Sequence, residues 1–342
     1  MNELKSKERD NQFDILRVMA MFMVIVIHVA NCYCRAYPDI SDFSFFWAIV
    51  FNGISRISVP IFFMISGALL LSSKYSNKKN LKRVVSKTIS LIIVTIVYLL
   101  WEKFFLNVNY LNLLDLLFKP ARGHLWFMYA LIGLYIALPF IKCMVDNMTL
   151  KEDILFLVLW LILIGGVSFL NIFINSKIAY PIPIINGCYY LGYFVLGHII
   201  YKHREKFNFK KYNVFYIIAF ILCFVVVISL TLFSSMKENK YVGSFYIYRS
   251  VFYILASSAC FILIYFNCKN RESKNLKKIA ANSFSIYLMH GIALDIVMKY
   301  IPYRNINSLV GIPVFSFIVF IITQLGVYLA SKLIAKFRKK ES

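Results

Sequence analysis

The chain reads as long apolar runs separated by short polar, mostly basic segments. Taking runs near twenty residues as membrane spans, the pattern predicts ten: 13–33, 44–72, 84–106, 124–143, 154–174, 184–201, 212–234, 245–267, 279–299 and 312–335. Twenty helical residues rise about 30 Å, the thickness of a bilayer's hydrocarbon core. No shift in composition, linker or repeat divides the sequence. The expected architecture is therefore all-α: a single domain over 1–342, a polytopic bundle of ten transmembrane helices, with no fused extracytoplasmic domain.

The first run is the one that breaks its own apolar pattern. FDILRVMAMFMVIVIHVANCYC, residues 13–34, carries Asp14, Arg17 and His28. Arg17 and His28 are eleven positions apart, about three helical turns, so they share a face and stand about 16 Å apart along the axis. Asp14 joins them one turn before Arg17. An ionisable side chain at the centre of a span costs about 2.5–3.5 kcal/mol on insertion scales, so a stripe of three must face protein or water. The second run adds Arg56 near mid-membrane, four residues before Pro60.

Composition then excludes whole classes. With 60% hydrophobic residues and a mean hydropathy of +0.70, this is not a water-soluble domain. The net charge of +22 would suit a nucleic-acid partner, but the Lys and Arg residues lie in short clusters between apolar runs and form no basic face. They concentrate in alternate connections, as in Lys78, Lys79, Lys82 and Arg83, or Lys202, Arg204, Lys206, Lys210 and Lys211. The positive-inside rule then sets both termini in the cytoplasm of a multi-pass cell-membrane protein, its first span uncleaved. Seven cysteines without a C-x-x-C pair carry no metal or redox expectation.

With that topology, His28, His124 in GHLWFMY and His290 in NSFSIYLMHGIALD come to similar depth toward the outer face, near Glu102, whereas Arg17 lies toward the cytoplasm. Histidine suits proton transfer near neutrality, and a dry neighbouring carboxylate would orient it. Arginine's planar fork suits phosphate or a developing oxyanion. Each residue has a blander reading. Arg17 can snorkel to the interface, Arg56 can sit in an interhelical ion pair, and Glu102 beside Lys103 can be a solvated pair at a helix end. Arg249 and Lys299 read as interfacial anchors, and Trp126 as a packing or belt aromatic able to stack on a sugar.

Taken in order, Asp14-x-x-Arg17-x10-His28, Arg56-x-x-x-Pro60-x-Phe-Phe-x-x-Ser-Gly, His124-Leu-Trp126-Phe, Tyr190-Leu-Gly-Tyr-Phe-x-x-Gly and Ser283-x-x-Ile-Tyr-Leu-x-His290 resemble the acyltransferase 3 family, integral-membrane O-acyltransferases of cell-surface polysaccharides. The resemblance implies catalytic roles for Arg17, His28 and Arg56, with Asp14, Glu102, His124, Trp126 and His290 in support. It implies acetyl-CoA or another acyl-CoA as donor, with Arg17 on its phosphates, no metal, and a cell-envelope glycan or its lipid-linked precursor as acceptor. His28 would act as general base or carry the acyl group as a nucleophile, and a separate envelope-biosynthesis or transfer partner would serve an acceptor that cannot reach the membrane. Some relatives of this fold transfer succinyl groups or carry a fused amino-acid racemase. The competing class is a multi-span transporter or flippase for a lipid-linked glycan or small solute.

Overall fold

The computed structural model describes residues 10–107, 119–174, 189–268 and 273–338, and among these every regular element is helical. The helices are α1 (Asn11–Arg35), α2 (Asp42–Ser55), α3 (Ser58–Leu71), α4 (Asn77–Phe105), α5 (Trp126–Asn147), α6 (Leu150–Trp160), α7 (Val167–Phe173), α8 (Leu191–Lys202), α9 (Asn213–Lys237), α10 (Val251–Asn267), α11 (Lys274–Tyr300) and α12 (Ser308–Arg338).

Local sequence sets several boundaries. Asp10 caps α1, its carboxylate accepting from the Gln12 amide, and Ser41 caps α2 through the Ser44 amide. The second run splits into α2 and α3 at Arg56, and Pro60 explains the split. Proline lacks the amide that would bond the carbonyl four residues back, and its ring crowds that carbonyl, which here belongs to Arg56. Restarted at Ser58, the helix holds Pro60 in its first turn, where no intrahelical donor is needed. Similarly, α6 and α7 are one run joined by a π-helical stretch, Leu161–Gly166.

Among the described residues, eight helical stretches are long and apolar enough to cross a bilayer: Asn11–Arg35, Asp42–Leu71, Asn77–Phe105, Gly123–Asn147, Leu150–Phe173, Phe209–Lys237, Lys274–Tyr300 and Ser308–Leu333. The other two expected spans correspond to shorter helices. The run 184–201 is represented by α8, its first residues lying outside the described ones, and 245–267 by α10, because 245–250 is irregular. Outward faces such as Ile89, Ile92, Ile93 and Ile96 of α4 remain apolar and exposed, as a lipid-facing surface requires.

Contacts sort the helix ends to two levels. At the near end, Tyr265 donates to Asp10 (2.6 Å), Asp153 takes Lys202 and His203 (both 2.9 Å), and Ser72 bonds His198 (3.0 Å). At the far end, Arg304 meets Asp39 (3.2 Å) and Lys299 donates to the Phe105 carbonyl (3.2 Å). Between them α1 is the central helix, packed against α2, α3, α10, α11 and α12. Helices α3 and α8 touch backbone to backbone. A Cβ on Gly67 would lie 1.7 Å from the Phe194 carbonyl oxygen, and one on Gly197 would lie 2.0 Å from that of Met64.

Candidate active site

Two cavities lie along α1, and the stripe found in its sequence opens onto both. The near cavity, about 290 Å³, is lined by Arg17, Ser66, Lys87, Tyr135 and Ser283 among others. Arg17 is held by Asp14 (2.8 Å), itself fully buried, so its guanidinium stays at the cavity and does not depend on reaching the interface. Lys87 stands over the Phe284 ring at 3.3 Å. Two cations therefore line one cavity, an arrangement suited to a polyanion.

The far cavity, about 180 Å³, is lined by His28, Asn31, Arg56, His124, Trp126 and Tyr248. Phe127 and Tyr287 line both cavities.

Around His28 the three expected histidines converge. Ring centroids are 5.1 Å apart for His28 and His290, 5.9 Å for His28 and His124, and 4.8 Å for His124 and His290. Carbonyl partners fix two tautomers, because a carbonyl only accepts. Nδ1 of His290 donates to the Tyr287 carbonyl (2.6 Å), and Nε2 of His124 donates to the Leu288 carbonyl (3.3 Å). Nε2 of His290 is thereby the basic nitrogen. It is buried with no hydrogen-bond partner among the described residues, in a side chain 1% exposed. His28 makes no side-chain hydrogen bond to a described residue and faces the cavity.

The surrounding shell leaves little slack. Tyr287 donates to the His124 carbonyl (2.6 Å) and Tyr98 to the Leu288 carbonyl (2.9 Å). A Cβ on Gly291 would come within 2.7 Å of the Tyr98 hydroxyl and 3.2 Å of His124 Cε1, so this turn of α11 has room only for glycine.

Arg56 occupies the break between α2 and α3. Its Nε donates to Asn52 Oδ1 and its Nη1 to the Tyr246 carbonyl, both 2.9 Å, and its fork lies 5.1 and 5.6 Å from the rings of Tyr246 and Tyr248. No described carboxylate pairs with it, in contrast to the ion-pair reading open from sequence. Neutral acceptors hold the fork while its charge stays available to the cavity.

Glu102 departs further from its sequence reading. It is buried and paired with Arg122 (2.8 Å), not solvated beside Lys103. Arg122 also pairs with Asp295, which accepts from the Trp101 indole (3.0 Å), and it lies over Tyr98 at 5.6 Å. This cluster braces the short turn Gly123–Leu125 that delivers His124. Arg122 and Asp295 escaped sequence reasoning, although Asp295, five residues after His290 in an apolar run, was a usable signal. Lys87, Phe127, Tyr248 and Tyr287 carried none that separates them from packing residues.

Trp126 lines the far cavity against Tyr190 (4.9 Å) and Tyr248 (5.7 Å). The structure thus brings His28, Arg56, His124, Trp126 and His290 together, sets Arg17 at the near cavity with Asp14 buried behind it, and leaves Glu102 one layer out. No group of three or more His, Cys, Asp or Glu side chains among the described residues could hold a metal ion.

A family model described as an acyltransferase domain, that of the acyltransferase 3 family, matches residues 10–332. The chain belongs to this family, and eight helical stretches among its described residues are long and apolar enough to cross a membrane. Two proteins of Enterococcus faecalis, each named an amino-acid racemase, are similar to it. One is 26% identical over 96% of this chain and 47% of its own length, the other 25% identical over 69% and 34%. The chain therefore spans about half the length of the first relative and about a third of the second. No solved structure matches.

Proposed function

We propose that the protein transfers an acyl group, most simply acetyl, from cytoplasmic acyl-CoA to a sugar hydroxyl of a cell-envelope polysaccharide or its lipid-linked precursor. The observation that carries this reading is the pair of cavities on one face of α1, meeting at Phe127 and Tyr287. The near one offers two cations to the donor's phosphates, and the far one offers imidazoles and an unpaired arginine to the reacting carbonyl. An extended thioester arm can lie along the three turns of α1 between them. In this reading ten helical segments cross or enter the bilayer and both termini are cytoplasmic, which puts Arg17 on the donor's side.

His28 accepts the hydroxyl proton as the sugar oxygen bonds to the carbonyl carbon. Arg56 faces the charge that grows on the carbonyl oxygen. Collapse breaks the carbon–sulfur bond, and the departing thiolate takes the proton back from His28. Arg17 and Lys87 hold the donor, while His124 and His290 fix the imidazole's surroundings.

The test is thiol release from acetyl-CoA by purified, detergent-solubilised protein with envelope glycan extract. Wild type is expected to release thiol faster with extract, and His28→Ala to release none while remaining folded. Equal rates from the two proteins would overturn the reading. The competing reading is passage of a small solute without chemistry, in which the charges inside the spans would line a transport path. In that case neither protein releases thiol, and vesicles holding the wild type take up the solute.

A further inference from the structure

Beyond the two cavities along α1, a third lies at the far end of the bundle, about 490 Å³, between α7 and the irregular stretch before α10. Its lining includes Ser168, Ser244, Tyr246 and Arg249. Two observations set Arg249 apart from an interfacial anchor. Its guanidinium lies 4.7 Å from the Tyr189 ring centroid, and its Nε is shut off from solvent with no acceptor among the described residues. A snorkelling arginine puts its head into water. Here part of the head is sealed against protein and no described carboxylate neutralises it.

A buried donor on a permanent charge demands an acceptor, and the described residues supply none. Ser168 and Ser244 line the same cavity, so it presents a cation and hydroxyl groups together.

The cavity adjoins the acyl-transfer chamber through a single stretch of chain. Tyr248 lines the His28 cavity, while its neighbours Ile247 and Arg249 line this one. Tyr246, which lines it too, holds Arg56 by its carbonyl. Resting on the acyl-transfer reading, we infer that this cavity is an anion-binding subsite for the acceptor: Arg249 pairs with a carboxylate or phosphate carried by the glycan, while a hydroxyl farther along the same acceptor reaches the chamber past Tyr248. The acceptor class is then an acidic glycan, one bearing uronic acids or sugar phosphates, and not a neutral one.

The experiment measures thermal unfolding of the purified full chain in detergent with D-glucuronate, D-glucose 6-phosphate, D-glucose or L-alanine. One of the two acidic sugars is expected to raise the wild-type midpoint and glucose to leave it unchanged, with glucuronate or the phosphate naming the anion. Arg249→Gln is expected to lose the shift and Arg249→Lys to keep part of it, which separates loss of charge from loss of fold. No greater stabilisation by an acidic sugar than by glucose, an undiminished shift in Arg249→Gln, or stabilisation by L-alanine alone would each overturn the proposal. Because the readout needs no turnover, its failure is distinct from a failure to release thiol from acetyl-CoA.

Discussion

The rings of Phe127 and Tyr287 stand 5.4 Å apart where the two cavities along α1 meet, and each ring belongs to both walls. Tyr287 cannot swing freely, because its hydroxyl donates to the His124 carbonyl while its own carbonyl accepts from His290. Phe127 is held by packing alone and is the movable half of the constriction. Phe127→Ala is expected to let water as well as acceptor reach the thioester, raising thiol release without glycan relative to release with it. The ratio of the two rates checks this, and an unchanged ratio would mean that the constriction does not control water.

Arg56 is held by two neutral acceptors through different nitrogens, a geometry that an ammonium cannot reproduce. Arg56→Lys is expected to lower kcat by about 10²–10³ with the donor KM little changed, the pattern of a group that meets charge only in the transition state. A rise in donor KM with kcat intact would reassign Arg56 to binding.

The histidines should separate in steady-state assays. His28→Ala is expected to abolish transfer. His124→Ala and His290→Ala, which remove rings that brace His28, should each leave activity lower by about 10²-fold, the scale of a displaced catalytic group. Gly291→Ala, pushing on Tyr98 and His124 together, should resemble them in rate while leaving every imidazole in place.

Much of the site's geometry could be read from the sequence, and the misses share a cause. The stripe of Asp14, Arg17 and His28 follows from helical geometry alone, and Arg56-x-x-x-Pro60 carries the chain break within its spacing. Glu102 was misjudged because its sequence neighbour, Lys103, is not its partner; Arg122 comes to it from the next polar segment, across residues that hydropathy treats as a loop. The stretch 245–250 read as the start of a span because Phe245, Tyr246, Ile247 and Tyr248 are apolar. Their backbone is instead engaged by Arg56 and by Tyr193, whose hydroxyl donates to the Tyr248 carbonyl (2.5 Å). Periodicity reports burial and carries no sign of what a carbonyl will be asked to accept.

Glu102→Gln offers a test of that cluster apart from catalysis. It keeps shape but removes the charge facing Arg122, and leaving one partner of a part-buried ion pair without its counter-charge is expected to cost about 1–3 kcal/mol. The thermal midpoint should fall, and it should fall less in Glu102→Gln, Asp295→Asn double-mutant protein than the two single losses added together, because both carboxylates serve one guanidinium.

Gly67→Ala should fail for a different reason. The new methyl would overlap a backbone carbonyl that cannot rotate away, forcing α3 and α8 apart, with a cost of about 3 kcal/mol. Aggregation on size-exclusion chromatography is the expected outcome, whereas Gly133→Ala, with nothing within 4 Å of its Cβ, should elute as wild type.

The break at Arg56 also has an electrostatic side. One unbroken span would carry its helix dipole from membrane face to membrane face, but two shorter helices bring a negative pole and a positive pole to the bilayer's interior. The carbonyl end of α2 lies beside the Arg56 cation that closes it, and the amide end of α3 opens at Val59, which lines the His28 cavity. Each pole is worth about half an elementary charge. The proline that divides the helix thereby adds a second source of positive potential at the place where a carbonyl oxygen would become an anion, one that no side-chain substitution at Arg56 removes.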